Sequence, residues 1–466
     1  MRDHAELDPT EVLHRLGVTE ETVRAHVMRP DNVVNATLGL DLRRPADGTD
    51  DPSNPPPPSG LFYRLNTDQL RRDLHGLLGF CLTGYSMQLR RYNRVVFDDQ
   101  WNFAKTPVDG AVGWTADVPI HVASVSKLIT AMAMTKLLED HNISPDAVIW
   151  PWLPPYWLRG PGVNQLTFRH LLTHTSGLVP GPDVPGPCDF PFMKDQIGLG
   201  AMPGSKFAYR NMNFGLCRIL LTTMDAPYLF NPLLAAWATD EYWDLTTISY
   251  YARYVSDNVF APVGVTSSFQ HTDENALAYP YPDPAFDVPG WNSQDLKTMC
   301  GAVGWHLSVD DLLTVMAEFR RGGQVVDPVI AQRMLDRQFG LDLKEDTPLG
   351  RIYCKGGFWS QIEGDTVGFF VEQANVFFLP KGMELVILAN SPFCNPNTGF
   401  RDNVLTAINA NTENILFRLT VTAVSALATY TLSWRLNIVA RLAVTAASAV
   451  ATYTLLGRMR TRVPRP

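Results

Sequence analysis

The sequence predicts an α+β fold: an antiparallel β-sheet flanked by helices, with an all-helical region inserted into it. Three observations lead to this prediction. Strand-like runs follow Leu78 and return after Gln338. The segment between them has mostly helical spacing and is broken by Pro-rich loops. Hydrophobic residues make up 45% of the 466 residues, enough to bury a large core.

The sheet is predicted from both ends of the main domain, because strands that come early and late with helices between them favour one antiparallel sheet. A surface helix is predicted over 67–78, and two strands follow it at 80–90 and 94–98 with a turn at 91–93. The late part predicts a meander with turns at Glu363–Asp365 and Pro380–Gly382 and a closing helix. Its predicted elements are strands Arg351–Trp359, Thr366–Glu372, Asn375–Leu379 and Glu384–Asn390, and helix Gly399–Ala410.

Three regions are predicted along the chain. Residues 1–60 form a polar extension ending in the Pro-rich run 51–60, which cannot form the interior of a helix or sheet. Residues 61–411 form the main domain. The N-terminus carries charges throughout and shows no apolar stretch of a secretory signal, so we expect either a cytoplasmic location or export by a route without such a signal.

Residues 412–466 form a duplicated apolar segment. Aligning 418–435 on 441–458 gives identity at thirteen of eighteen positions, and each copy holds sixteen uncharged residues between arginines. Each copy would span roughly 24 Å as a helix, against about 30 Å for a bilayer core. A helical hairpin is predicted. It is either membrane-associated through 418–458 or a soluble or interfacial hairpin packed on protein.

The composition excludes several classes of function. The net charge is −8, and no basic patch of a nucleic-acid-binding protein occurs in the first 400 residues. The six cysteines are dispersed, without a C-x-x-C pair or a Cys/His cluster, so no metal and no cofactor is expected. Six free thiols in a reducing compartment are predicted.

The strongest local signal is HVASVSKLITAMAMTKLLED at 121–140. Its apolar spacing predicts a helix with Ser124 at its start and Lys127 one turn along. Residues three apart share a helix face, so the Lys127 amine can activate the Ser124 hydroxyl as a nucleophile. The alternative interpretation of this pair alone is a capping serine with a solvated lysine.

Two further groups extend this constellation. Tyr209 and Asn211, two apart in an extended or looped segment, would point the same way, so a phenol and an amide could both face the serine. A neighbouring ammonium makes a phenol more acidic and able to relay a proton. Lys355 precedes two glycines on a predicted strand, which lets a substrate lie against the strand edge.

In this order, SVSK, YRN and KGG resemble the motifs of the serine β-lactamase and penicillin-binding protein superfamily, most closely its class C β-lactamase and esterase branch. The resemblance covers about residues 61–411. Three more segments are similar to that branch: LTFRHLLTHTSGL (166–178), VFAPVGVTSS (259–268) and GAVGWHLSVDDLLTVM (301–316).

The resemblance implies a β-lactamase/transpeptidase-like fold and a role for each matching residue. Ser124 would be the acylated nucleophile, and Lys127 and Tyr209 would share its proton. Asn211 would position the substrate amide. The strand would supply Lys355 and Gly357 beside the substrate, and an oxyanion hole would use the backbone N–H groups of Ser124 and Phe358.

One departure from the family pattern narrows the predicted activity. The strand triad reads KGG where the family pattern has KTG, so a hydroxyl that helps to hold a substrate carboxylate is missing at Gly356. We therefore expect a serine hydrolase acting on a small-molecule or peptide-like ester or amide rather than a true β-lactamase. An acyltransferase with the same site and a non-catalytic scaffold are the alternatives. His170 and His174 are expected to be structural.

Overall fold

The computed structural model describes residues 62–79, 81–179, 186–230, 239–281, 285–362, 369–393, 399–415, 421–426, 429 and 445–452. The polar extension, the Pro-rich run, the turn at Glu363–Asp365, Cys394 and most of the tail lie outside the described residues. Predictions for those segments stay predictions.

The strands confirm one antiparallel sheet built from early and late parts of the chain. In chain order they are β1 (Tyr63–Leu65), β2 (Gly84–Arg91), β3 (Arg94–Lys105), β4 (Val112–Gly113), β5 (Ile120–His121), β6 (His306–Leu307), β7 (Leu343–Thr347), β8 (Gly350–Ile362), β9 (Phe369–Leu379), β10 (Met383–Ala389) and β11 (Thr412–Asn414). Seven strands form the main sheet in the order β4-β3-β2-β10-β9-β8-β7, with all neighbours antiparallel. The pairs β1–β11 and β5–β6 form two small antiparallel ladders.

The helices fall into two groups, one at the ends of the domain and one inserted between the early and late strands. They are α1 (Thr67–Leu78), α2 (Ser126–Asp140), α3 (Phe168–Leu172), α4 (Phe190–Leu199), α5 (Asn211–Asp225), α6 (Asp240–Val255), α7 (Val309–Ala317), α8 (Pro328–Asp336) and α9 (Phe400–Ala410). The predicted surface helix matches α1, and the predicted closing helix matches α9. The fold class is therefore confirmed.

The main sheet separates two apolar cores. Along β10, Leu385 and Ile387 pack with the core of α1 and α9, while Val386 and Leu388 pack with the core of the inserted helices. Successive side chains of a strand point to opposite faces, so a strand covered on both faces is apolar throughout. This explains the uninterrupted run Met383–Ala389, all of it buried.

Helix α2 is the central helix of the inserted region. Twelve of its fifteen residues are buried, so it has no solvent face over most of its length, as expected for a helix that is apolar all round. A 3₁₀ turn, Ala123–Val125, leads from β5 into α2 and carries Ser124. The helix that follows the predicted nucleophile thus anchors it in the middle of the larger core.

Three strand predictions differ from the structure. Strand β7 was not predicted, because Lys344, Glu345 and Asp346 give it the charged composition of a sheet edge rather than an apolar pattern. Strand β3 continues to Lys105, beyond the predicted Asp98. The two predicted strands Thr366–Glu372 and Asn375–Leu379 are one strand, β9, whose central polar residues are buried.

Strand β11 extends the main domain by three residues past its predicted end at 411, because Thr412–Asn414 pair with β1. In the tail, the described residues 421–426, 429 and 445–452 are helical. Among all described residues, no helix is long and apolar enough to cross a membrane.

The prediction of six free thiols is wrong: Cys81 is disulfide-bonded, although Cys188, Cys217, Cys300 and Cys354 are free and buried. The cysteines therefore do not argue for a reducing compartment.

Candidate active site

Ser124 lies on a tight turn held from two sides. Val122 N–H donates to the carbonyl of Trp305, and Ala123 has a positive φ of 48°, which is uncommon for a residue with a side chain. Strand β8 passes directly beneath: a Cβ at Gly357 would lie 2.3 Å from the Val122 carbonyl oxygen and 3.2 Å from Ser124 N. Only glycine allows this approach, so the turn and the strand are fitted to each other.

Lys127 lies below the serine and is fully buried. Its Nζ is 3.0 Å from Ser124 Oγ, 2.8 Å from Asn211 Oδ1 and 3.0 Å from the Ala302 carbonyl oxygen. An ammonium has three donors, and three acceptors surround this one. Burial lowers the pKa of Lys127 from its ordinary value, and the second ammonium, at Lys355, lowers it further, while Tyr209 opposes both.

Tyr209 lies between the two lysines. Its hydroxyl donates to Ser124 Oγ over 2.8 Å, and Lys355 Nζ lies 3.5 Å from the same hydroxyl. Lys127 Nζ and Lys355 Nζ lie 4.9 and 5.0 Å from the centre of its ring. Burial raises the pKa of Tyr209, but the two ammonium groups outweigh burial, so this pKa lies below its ordinary value.

Asn211 is the first residue of α5, not part of an extended or looped segment as predicted. Its side chain nevertheless reaches the same cluster as Tyr209. Oδ1 accepts from Lys127 Nζ, and Nδ2 donates to the carbonyl of Gly186 over 2.8 Å. Both ends of the amide therefore have partners within the protein, and the contact with Lys127 orients the amine.

The strand residues are all on β8, which the main sheet places beside the nucleophile turn. The side chain of Lys355 is 2% exposed. Gly357 contacts the turn as described above. The next residue, Phe358, has 51% of its surface exposed. All seven predicted site residues thus come together, contributed by the Ser124 turn, α2, the segment before α5 with the first residue of that helix, and β8.

A family model described as "Beta-lactamase" matches residues 82–393. The chain belongs to the beta-lactamase family. Members of this family are mostly serine hydrolases. The matched stretch contains all seven predicted site residues. No curated protein matches the sequence.

Solved structures of beta-lactamase-like proteins share the fold at low sequence identity. The octameric penicillin-binding protein homologue from Pyrococcus abyssi is 18% identical, with a TM-score of 0.52 over 70% of this chain and 74% of that one. The D-amino acid amidase from Ochrobactrum anthropi SV3 is also 18% identical, with a TM-score of 0.52 over 73% and 99%. The hydrolase EstCE1 is 17% identical, with a TM-score of 0.51 over 73% and 99%.

The structure also reveals a residue that sequence analysis missed, Asp342, which directly precedes β7. Its Oδ1 lies 2.5 Å from Lys355 Nζ, and its Oδ2 accepts from Gly356 N over 2.8 Å. Its own N–H donates to the Cys354 carbonyl, which begins the pairing of β7 with β8. No sequence motif marked Asp342, because its position depends on the pairing of an unpredicted strand.

His174 packs against the site without approaching the serine. Its ring lies 4.4 Å from that of Tyr209, and its Nδ1 accepts from Arg210 N–H over 3.2 Å. Burial lowers the pKa of His174 well below its ordinary value, and the nearby cations lower it further, so the ring is neutral. His170 belongs to the capping box of α3. Both contacts support the structural roles expected for these histidines.

Proposed function

We propose that the protein is a serine hydrolase that cleaves esters or amides through an acyl-enzyme on Ser124. One observation carries this proposal: Ser124 Oγ lies 3.0 Å from the Lys127 amine and 2.8 Å from the Tyr209 hydroxyl, on a turn that leaves it partly exposed. A serine beside a proton acceptor, itself oriented by a third group, is the arrangement that nucleophilic catalysis requires.

We assign different roles to the two bases on the basis of their contacts. Lys127 has three acceptors around it and acts as the ammonium, which keeps the site positive. Tyr209, with a lowered pKa, is the group that takes the proton. In the reactive form the phenol has lost its proton, and Ser124 donates the same hydrogen bond in the opposite direction.

The reaction then proceeds in two balanced steps. Ser124 Oγ attacks the carbonyl carbon while its proton passes to Tyr209, and the backbone N–H groups of Ser124 and Phe358 hold the developing oxyanion. The bond to the alcohol or amine breaks, and Tyr209 returns the proton to that leaving group. Water repeats the sequence on the acyl-enzyme, releasing the acid and restoring Ser124. Transfer to an added alcohol instead of water would make the same site an acyltransferase.

Asn211 and Lys355 each act on one of the two bases. Asn211 positions Lys127 through its Oδ1, and Lys355 helps to lower the pKa of Tyr209. A direct contact of Asn211 with a substrate amide remains a prediction. The two solved structures named above as an amidase and a hydrolase agree with ester or amide chemistry at the level of the fold.

Covalent labelling tests the proposal. Folded full-length protein is incubated with a fluorophosphonate and with a nitrophenyl ester, and adducts are located by mass spectrometry. We expect one adduct at Ser124 that Ser124→Ala abolishes and that Ser144→Ala, a change in a loop serine, leaves intact. Absence of labelling and of ester turnover in folded protein contradicts the proposal. Nitrocefin, tested in parallel, measures β-lactam hydrolysis.

A further inference from the structure

The charge of Lys355, on the strand beside the nucleophile, is balanced within the protein by Asp342. Lys355 is the strand cation nearest to the Tyr209 hydroxyl, and its buried Nζ is paired with the Asp342 carboxylate at 2.5 Å. The Asp342 side chain is 18% exposed, so it lies at the boundary between the buried lysine and solvent. An incoming anion meets this carboxylate as well as the ammonium.

The carboxylate is held in place by more than the ion pair. Its second oxygen accepts from the Gly356 N–H, so both oxygens are engaged on β8. Residue 356 is glycine, and a Cβ there would lie 3.4 Å from Asp342 Oδ2 and 3.2 Å from Asn375 Oδ1. A Cβ at 356 would therefore be in ordinary contact with the carboxylate and in tight contact with Asn375.

A second cation near Asp342, Arg401, does not change the balance of charge beside Lys355. Arg401 Nη1 lies 3.9 Å from Asp342 Oδ2, and Arg401 Nε lies 3.1 Å from Asp402 Oδ1. Lys355 and Arg401 together carry two positive charges, and Asp342 and Asp402 carry two negative charges. Lys127 is the other cation of the site, but it is fully buried under Ser124 with three acceptors.

We propose that Asp342 is a specificity-determining residue: by occupying Lys355, it directs the site to esters and amides that carry no carboxylate near the scissile bond. This inference rests on the proposed hydrolase function. A carboxylate brought beside Lys355 would have to displace Asp342 or lie against it. The substrate carboxylate and Asp342 would lie close together in a partly buried site and would repel each other. The substrate carboxylate would also lose its bound water there without gaining an unpaired ammonium as a partner.

A matched substrate pair tests the inference. The substrates are 3-acetoxybenzoate, which carries a carboxylate on its leaving group, and its methyl ester, which does not. Full-length protein is assayed with each, and kcat/KM for the anionic ester is divided by that for the neutral ester. We expect the unmodified protein to prefer the neutral ester. We expect Asp342→Asn to raise the ratio about 10- to 100-fold, because Lys355 becomes free to donate to the substrate carboxylate.

Three further variants test whether the negative charge of Asp342 causes the low kcat/KM ratio. Asp342→Ser, a second neutral change, should raise the ratio as Asp342→Asn does, and it keeps the test open if one variant fails to fold. Asp342→Glu retains the negative charge and should keep a low ratio. Asp346→Asn removes the same charge from a carboxylate four residues along, bound to Arg351, and should leave the ratio unchanged. A merely structural role of Asp342 would slow both esters and leave the ratio as it was.

The outcomes separate the two proposals. A ratio that does not move in folded, active Asp342→Asn and Asp342→Ser overturns this inference alone. Preference of the unmodified protein for the anionic ester does the same. If folded protein neither turns over the neutral ester nor is labelled at Ser124 by a fluorophosphonate, the hydrolase proposal fails, and the specificity proposal fails with it.

Discussion

At the scale of the residue, the hydroxyl of Tyr209 is the atom on which the proposed chemistry depends. It lies 2.8 Å from Ser124 Oγ and is flanked by two lysine amines. We expect Tyr209→Phe to lower kcat/KM for a neutral ester by about 10²- to 10⁴-fold, because a positioned proton acceptor contributes about that much. Tyr228→Phe, remote from the site, is the matched control. An unchanged rate in folded Tyr209→Phe would remove Tyr209 from the mechanism.

The acidity of Tyr209 gives a pH dependence. A general base acts when deprotonated, so kcat/KM rises as pH increases through its pKa. The pKa of Tyr209 is below its ordinary value, so this rise should have its midpoint below pH 10. The midpoint belongs to the coupled Tyr209 and lysine groups together.

Lys355 is one of the two cations that lower the pKa of Tyr209, so removing its charge tests this effect directly. We expect Lys355→Gln to move the acid limb of the pH profile to higher pH, because one of the two ammonium groups is lost. Lys344→Gln removes the same charge from the neighbouring edge strand, where the amine donates to the Asp336 carbonyl, and should not move the limb. A shift to lower pH in Lys355→Gln contradicts the electrostatic account.

At the scale of the element, strand β8 and the nucleophile turn are fitted at Gly357. Its substitution by alanine would place Cβ 2.3 Å from the Val122 carbonyl oxygen, so the strand and the turn must separate. We expect Gly357→Ala to lower kcat by about 10²- to 10³-fold, the loss associated with one oxyanion-hole donor. Gly113→Ala, in open space on β4, is the control. Unaltered kcat in Gly357→Ala would show that the turn tolerates this separation.

A second link ties the segment before the nucleophile to the sheet. His121 on β5 and Glu372 on β9 are both fully buried, and His121 Nδ1 lies 2.8 Å from Glu372 Oε2. Glu372→Ala leaves a buried ring nitrogen without this partner, so we expect the free energy of unfolding to fall by about 1–3 kcal/mol. Urea unfolding measures the change, and Glu274→Ala, on an exposed loop, should have little effect. Equal stabilities for the two variants would contradict the link.

At the scale of the whole molecule, the two described helical segments of the tail, within the predicted hairpin, have contacts that are unusual for a helix pair in water. Ser425 and Thr452 share a hydrogen bond of 2.8 Å, and Thr429 donates to Ser448 over 2.7 Å. Equivalent positions of the two copies thus bond reciprocally. Val424 and Val450 are 63% and 68% exposed. Hydroxyls between helices and apolar residues outside are typical of helices packed in lipid.

We propose, on this basis, that the hairpin contacts a membrane surface. Truncation after Ile415 removes it and keeps β11, which pairs with β1. We expect full-length protein to co-sediment with lipid vesicles and the truncated form to stay in the supernatant. Ser144→Ala in the full-length chain should sediment like the unmodified protein. Recovery of both lengths in the supernatant contradicts membrane contact.

Much of this protein could be predicted from its sequence because the signals are local. Helical spacing placed α1, α2 and α9, and a spacing of three put Lys127 beside Ser124. The order of the motifs predicted the fold and all seven residues that the structure brings together. These features depend on neighbours in the chain, where periodicity and residue type carry the information.

Only the tertiary structure decided the features that depend on pairing between distant segments. Asp342 reaches Lys355 because a charged edge strand pairs with β8, and edge strands lack the apolar pattern that sequence analysis detects. Glu372, Gln373 and Asn375 interrupt the apolar pattern of β9, yet the strand continues, with Glu372 bound to His121 and Gln373 to the Ser391 carbonyl. The sequence by itself therefore determined the fold and the residues that surround Ser124, whereas long-range strand pairing decided the charge beside that serine.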